Sequence, residues 1–341
     1  MNFFSQQLSK KKTDLLLKRI GRVVAAEQFI NGPEVGDLER KLSDFFGVEA
    51  VTCNSGTDAL MIGLKALGIG PGDEVITTAF TYFATIEAIA AVGAKPVLVD
   101  IDPQTFNIDA SQIEKKITKK TRAVLVVHLY GLACDVAEVA RICKKHHLKL
   151  VEDCAQSYGA KSGGKLTGTF GDVGCFSFFP TKNLGAFGDG GAVTIRSKAV
   201  LARFKLLKNH GQPRKYVHQI IGGNSRLDTI QAAVLLEKIA WLEEDLAVRR
   251  ARAQSWFKKY RNHPNVMALP EQEGHTYNVF TLLVHDRKAF VKELEREGIP
   301  SAIYYDVPVY KQPAYVGLFG KHAPLPHSEF AAKHVISLPI H

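Results

Sequence analysis

Phe176-Ser-Phe-Phe-Pro-Thr-Lys-Asn-Leu-Gly-Ala-Phe-Gly-Asp-Gly-Gly-Ala192 sets one lysine, Lys182, between an aromatic, strand-like run and a loop dense in glycine. Upstream, Leu150-Val-Glu-Asp-Cys-Ala-Gln156 closes an apolar strand on a carboxylate, Asp153. Gly188-Asp-Gly-Gly191 precedes a further strand at Ala192 to Ile195, so Lys182 falls on a connection between two β-prone runs. A lysine on such a loop, paired with an acid at a strand end, is the pattern from which the rest of the chain is read.

Working outward, short apolar runs alternate with helical spacing. Ala50-Val-Thr-Cys-Asn-Ser-Gly-Thr-Asp-Ala-Leu60 passes from a strand through Ser-Gly-Thr into a helix. Backbone N–H groups at such a helix start form a phosphate cradle. Gly56 admits close approach of an anion, and Ser55 and Thr57 cap the helix or donate to an oxyanion. Ser-Gly-Thr before a helix is also an ordinary cap, and alone it does not decide between the two. Glu74 to Thr78, Pro96 to Asp100, Arg122 to His128 and Leu148 to Val151 read as further strands. Helices are expected to about Ala26, over Val35 to Phe46, from Thr85 to Val92, near Ile113, over Val136 to His146 and from Arg196 to Lys208. Strands apolar on both faces and alternating with helices imply a mostly parallel sheet covered on both sides. Ligands of such sheets sit at the carboxyl ends of the strands. Thr52 to Thr57, Thr78 to Tyr82, His128 and Asp153 to Gln156 all fall there. No GxGxxG follows a first strand, which sets a dinucleotide fold aside. A long helix from Asp228 to about Tyr260 divides a large domain, residues 1–245, from a smaller α+β domain, residues 246–341. The aromatic, proline-rich loop Tyr304 to Ala314 is read as an active-site flap or a surface loop.

Composition narrows the partners. A chain of 341 residues with 46% hydrophobic content buries a large core. No apolar run approaches the roughly 20 residues of a membrane helix. The N-terminal Met1-Asn-Phe-Phe-Ser-Gln-Gln7 lacks the order of a signal peptide, so a cytoplasmic protein is expected. Five cysteines, Cys53, Cys134, Cys143, Cys154 and Cys175, lie scattered without CxxC spacing and read as reduced thiols. No HExxH or Cys/His cluster suggests a metal. The net charge of +10 raises nucleic acid, but the basic runs are dispersed and not interleaved with aromatics. Neither a nucleic acid nor a membrane is expected as a partner.

An acid that can hold a ring nitrogen and a lysine that can form an imine are what a pyridoxal 5'-phosphate (PLP) enzyme requires. The motifs Asn54-Ser-Gly-Thr-Asp-Ala-Leu60, Thr81-Tyr-Phe-Ala-Thr85, Glu152-Asp-Cys-Ala-Gln-Ser157, Ser177-Phe-Phe-Pro-Thr-Lys182, Gly188-Asp-Gly-Gly191 and Gly223-Asn-Ser-Arg-Leu-Asp228 stand in one order along the chain. Together they resemble the DegT-type family of PLP-dependent sugar-nucleotide aminotransferases, and the likeness spans almost the whole sequence. The resemblance implies the aspartate-aminotransferase fold (PLP fold type I), with a mostly parallel seven-stranded sheet in the large domain. It implies that Lys182 forms the imine with PLP, that Asp153 holds the pyridinium nitrogen, that Gln156 contacts the ring oxygen and that Tyr82 stacks on the ring. Gly56, Thr57 and Ser177 would cradle the phosphate, with Asn224 reaching over from the partner of a homodimer with shared sites. His128 is expected to support rather than contact the cofactor. Family members usually continue past Ser337-Leu-Pro-Ile-His341 with another helix.

The same resemblance implies L-glutamate as donor and a keto nucleotide sugar as acceptor. Within the 3-amino branch the likeness is to enzymes acting on UDP-2-acetamido-2-deoxy-3-oxo-D-glucuronate, which serve surface polysaccharide and O-antigen biosynthesis. That acceptor carries a carboxylate, for which Arg226 is the candidate partner, with Tyr305 a second substrate contact. Arg226 reads equally as an ion pair with Asp228 or a contact at a helix start. A dTDP-3-oxo-6-deoxyhexose or a UDP-4-oxo sugar is the alternative acceptor, and a non-catalytic regulator on the same fold is the more distant reading. Relatives that dehydrate their sugar replace the lysine by histidine, so Lys182 favours transamination.

Overall fold

A computed structural model describes residues 8–268 and 273–340. Helix α1 (Lys10–Ala26) opens on Ser9, whose hydroxyl accepts from Lys12 N, and α2 (Pro33–Phe46) begins with proline, whose fixed φ suits a first helical position. There follow β1 (Ala50–Cys53), α3 (Gly56–Ala66), β2 (Glu74–Thr78), α4 (Ala84–Ala91), β3 (Lys95–Val99), β4 (Thr121–Val127), α5 (Val136–Lys145) and β5 (Lys149–Asp153). A small hairpin, β6 (Lys161–Ser162) and β7 (Lys165–Leu166), precedes β8 (Val173–Ser177), β9 (Gly191–Ile195) and α6 (Lys198–Leu207). Seven strands form one sheet in the order β1-β9-β8-β5-β4-β2-β3. Only β9 runs against its neighbours, so β1, β2, β4, β5 and β8 all end on the same edge.

Both faces of the sheet are covered, as apolar runs without alternation require. Ala123, Leu125 and Val127 of β4 join the core that holds Leu60 and Leu64 of α3, while Val124 and Val126 pack with Val139 and Ile142 of α5. Leu125 is fully buried, which stabilises the fold by about 2 kcal/mol.

The expected long helix after Asp228 is two. Helix α7 (Thr229–Ile239) ends before Trp241, and α8 (Leu242–Tyr260) starts afresh with Glu243, Glu244 and Asp245 in its first turn, where acids suit the helix dipole. Apolar spacing runs through the junction, so the periodicity alone does not reveal the break. The helix expected near Ile113 is instead two short 3-10 turns, Ala110–Gln112 and Glu114–Lys116.

Beyond α8, β10 (Val266–Ala268), β11 (Phe280–Val284), α9 (Arg287–Arg296), α10 (Pro313–Phe319), α11 (Pro326–His334) and β12 (Val335–Leu338) complete the described chain. Strands β10, β11 and β12 form an antiparallel sheet. Its core takes Trp256, Phe257 and Tyr260 from α8 with Phe280, Phe290 and Ile336. The loop before α10 brings Tyr304 and Tyr305 back against the core of the large sheet.

Candidate active site

The carboxyl edge of the sheet gathers most of the residues singled out in the sequence. β1 runs out into Asn54 and Ser55, and Ser55 caps α3 by accepting from Asp58 N at 3.1 Å. The first N–H groups of α3, at Gly56 and Thr57, have no carbonyl one turn behind them. Gly56 faces Ser177 at the end of β8 so closely that a Cβ on Gly56 would stand 2.6 Å from the serine Cβ. Ser177 Oγ accepts from Phe179 N at 3.3 Å, which leaves its own proton free to donate. A helix start without room for a side chain, faced by a hydroxyl, is a donor set suited to phosphate.

Asp153 ends β5 and is buried. Its Oδ1 accepts from Ala155 N at 3.1 Å and its Oδ2 from the Thr85 hydroxyl at 3.0 Å. Burial raises its pKa, against the pull of those two donors and the charge of Lys182. Lys182 is half-buried in the loop between β8 and β9. Desolvation lowers its pKa to about 8, although Asp153 pulls it upward. The amine is therefore available as a base far below its usual range.

Gln156, also buried, has its amide fixed at both ends. Its Oε1 accepts from Tyr130 N at 2.7 Å, and its Nε2 donates to Tyr305 Oη at 3.1 Å. The Tyr305 ring lies 5.9 Å from that of Tyr82, whose side chain is 60% exposed and open to stack on a planar group. Tyr130 Oη in turn donates to the carbonyl of Tyr304, which fastens the returning loop over the site. Burial pushes the Tyr305 phenol up, so it remains a donor at every physiological pH.

Asn224 and Arg226 lie in a neighbouring cavity of about 560 Å³ with Asn54, Ser55, Asp189 and Gln231 among its walls. Ser225 ties this loop down by donating to Asn54 Oδ1 at 3.1 Å. Arg226 makes a long contact with Asn209 Oδ1 at 3.5 Å, and its Nε is buried without a partner. No ion pair joins Arg226 to Asp228 among the described residues, which removes that alternative.

Three residues near the site carried no assigned role in the sequence. Thr85 stands four residues after Thr81, a helical spacing that stacks their hydroxyls 3.0 Å apart, and this spacing was the available signal. Glu152 and Lys238 gave none, because a charged residue beside apolar ones reads as solvated until its surroundings are known. His128, Glu152 and Cys154 bring ligand-type atoms within 4.8 Å. Both Glu152 oxygens already accept backbone N–H groups, however, and His128 Nδ1 accepts from Cys134 N at 3.1 Å, so the group serves hydrogen bonding.

PLP chemistry asks a protein for a phosphate cradle, an acid and a low-pKa lysine, and the chain is a PLP-dependent transaminase acting on sugar nucleotides. It belongs to the DegT/DnrJ/EryC1/StrS aminotransferase family, which matches residues 10–341. It is 42% identical to the UDP-2-acetamido-2-deoxy-3-oxo-D-glucuronate aminotransferase of Pseudomonas aeruginosa, over 94% of this chain and 89% of that protein. It is also 42% identical to the UDP-N-acetyl-3-dehydro-alpha-D-glucosamine 3-aminotransferase of Acidithiobacillus ferrooxidans, over 96% and 89%. Among solved structures, NtdA of Bacillus subtilis with bound cofactor PMP superposes with a TM-score of 0.93 at 31% identity, over all of this chain and 80% of that one. No helix among the described residues is long and apolar enough to cross a membrane.

Proposed function

We propose that the enzyme moves the amino group of L-glutamate to UDP-2-acetamido-2-deoxy-3-oxo-D-glucuronate, giving the 3-amino sugar and 2-oxoglutarate for surface polysaccharide assembly. The observation that carries the choice of a uronate is Arg226, whose buried, unpartnered Nε borders the 560 Å³ cavity. A guanidinium left short of acceptors in that position suits a sugar carboxylate, which it can meet through two nitrogens. The neutral acceptor of the Acidithiobacillus relative makes a sugar without the carboxylate the alternative.

When bound, PLP supplies an electron-withdrawing ring that accepts an amino group from one substrate and yields it to the next. Gly56, Thr57 and Ser177 would hold its phosphate, and Asp153 would keep its ring nitrogen protonated. Gln156 and Tyr82 would orient the ring. Lys182 would carry the proton that the transfer moves, a task its lowered pKa permits at neutral pH. Tyr305, fixed to Gln156, offers its phenol proton to the substrate.

The active form is a homodimer in the cytoplasm, in which Asn224 serves the partner's phosphate site. Tyr216 and Ile221, 80% and 95% exposed on the loop before Asn224, are apolar surface that a second copy would cover. Five buried free cysteines suit a reducing compartment. Residues 1–245 form the large domain and 246–341 the small one, whose separate apolar core supports the division.

Arg226→Ala tests the acceptor. Its kcat/KM should fall about fiftyfold for the 3-oxo uronate and less than about threefold for a neutral 3-oxo sugar nucleotide. Equal losses would overturn the uronate assignment.

A further inference from the structure

Lys238 lies on α7 with 4% of its surface exposed. Its ammonium donates to the carbonyl of Gly185 and stands 5.8 Å from the centre of the Phe187 ring. The charged groups that face it, Asp245 and Arg249, are both on α8, and Asp245 is shared with Lys12 of α1 at 3.4 Å. Desolvation dominates, and the lysine pKa falls to about 8. Leucine or methionine would fill the same space without that cost. The inward face of α7 is otherwise apolar, with Ala232, Ala233, Leu235 and Leu236 all buried. What a lysine offers beyond those residues is a donor, and its acceptor is on the loop that carries Lys182.

Leu184 and Ala186 of that loop pack in the same apolar cluster as Leu235 and Leu236 of α7, and its polar contacts are few. Lys182 N donates to Phe179 O at 2.9 Å and Ala186 N to Phe178 O at 2.7 Å, so the chain folds back on itself. The fold-back centres on Gly185, where a Cβ would stand 2.4 Å from the Pro180 carbonyl oxygen. Gln231 lies seven positions before Lys238 on the same face of α7. Its Oε1 accepts from Phe187 N at 2.9 Å. Two side chains of one helix thus grip the loop at neighbouring residues. On the other side, Asn183 donates to Thr276 O at 3.1 Å.

We infer that Gln231 and Lys238 are positioning residues for Lys182: one face of α7 holds the Pro180 to Phe187 loop and thereby fixes where the reactive amine stands relative to Asp153. The inference rests on Lys182 being the cofactor lysine, and the test keeps the two apart.

In cofactor-free protein, pH-dependent acylation of Lys182 is followed by peptide mass spectrometry, with hydrogen exchange of residues 179–188 alongside. The wild type should show a midpoint near about 8, as its enclosure dictates. Lys238→Met and Gln231→Leu should each raise that midpoint by about one pH unit as water reaches the amine, and should speed exchange in the loop alone. In the PLP-loaded enzyme kcat should fall about tenfold or more, with the sugar-nucleotide KM within about twofold of wild type. Lys238→Arg, which keeps a donor, should restore part of the midpoint. Folded Lys238→Met and Gln231→Leu proteins with wild-type midpoint and exchange would overturn the inference. So would a Lys238→Met that fails to fold beside a Gln231→Leu that leaves the midpoint unmoved. Survival of the cofactor's visible absorbance in Lys182→Ala would instead reject the cofactor-lysine reading and leave the midpoint result standing.

Discussion

Glu152 and Asp153 are consecutive carboxylates at the end of β5, and they face opposite sides of the sheet. Glu152 is saturated. It accepts from Gly168 N at 2.7 Å, Phe170 N at 2.8 Å, Gly171 N at 2.7 Å and His128 Nε2 at 3.1 Å. His128 Nδ1 accepts from Cys134 N, which places the ring proton on Nε2. Burial would push Glu152 up, but these donors outweigh it and its pKa lies below the ordinary value. Asp153 has two donors among the described residues, and burial leaves its pKa raised. Two acids in the same strand thus divide the work. The saturated one holds the 168–171 turn against the sheet, and the other keeps lone pairs open beside Lys182. Fold and catalysis draw on the same residue type, and the count of donors tells them apart.

The sharpest way to break the contrast is to remove each charge in turn. Asp153→Asn should cost activity about a thousandfold, because the ring nitrogen loses the charge that keeps it protonated. Stability should move the other way. A raised pKa means that the folded state binds the proton more tightly than the unfolded chain, so at neutral pH ionised Asp153 lowers stability. The Asn variant should therefore melt no lower than wild type in the cofactor-free state. A lower melting temperature with activity kept would reverse the roles assigned here.

Glu152→Gln should give the mirror image. An amide can accept from some of the four donors but turns an NH₂ towards the others, which costs about 3 kcal/mol in urea unfolding. Activity per folded molecule should change far less than in Asp153→Asn. The pH dependence follows from the lowered pKa. Glu152 stabilises the fold above its unfolded value of 4.5, and that contribution disappears as pH falls through the lower folded value. Wild type and Glu152→Gln should converge in stability as the solution is acidified through that window, and curves that stay parallel would show that the charge of Glu152 is not what holds the turn.

The same two residues mark where the sequence stops being readable. Asp153 is legible because it ends an apolar run next to a turn, and such strand ends are where parallel sheets bind ligands. Lys182 stands out as an amine on a glycine-rich connection facing that acid, and Gly56 as a helix start open to a phosphate or an ordinary cap, whereas Ser177 is singled out only through the family resemblance. Glu152 is not, because its partners, residues 168–171 and His128, come from distant parts of the chain. Lys238 is hidden in the same way. Leu236-Glu-Lys-Ile239 reads as the polar turn of an amphipathic helix, and only the packing of α7 against the Lys182 loop turns that lysine inward. The mostly parallel character of the sheet was within reach of pattern reasoning, whereas the break between α7 and α8 was not, since both helices keep the same apolar period across it.

Thr85→Val gives the smallest effect and the finest test of the donor-count argument. Thr85 is fully buried on α4, and its hydroxyl is one of two donors to Asp153 among the described residues. Valine keeps the volume and removes the donor, so the ionised carboxylate loses part of its support and its pKa should climb further. Cofactor affinity, measured by fluorescence titration, should weaken about tenfold, the scale of one hydrogen bond to a charged group. The loss should also grow as pH falls, because the variant's Asp153 takes up its proton at a higher pH and no longer pairs with a protonated ring. A loss of affinity that is the same at every pH would mean that Thr85 acts by packing, and the division between the two acids of β5 would then rest on their burial and not on their donors.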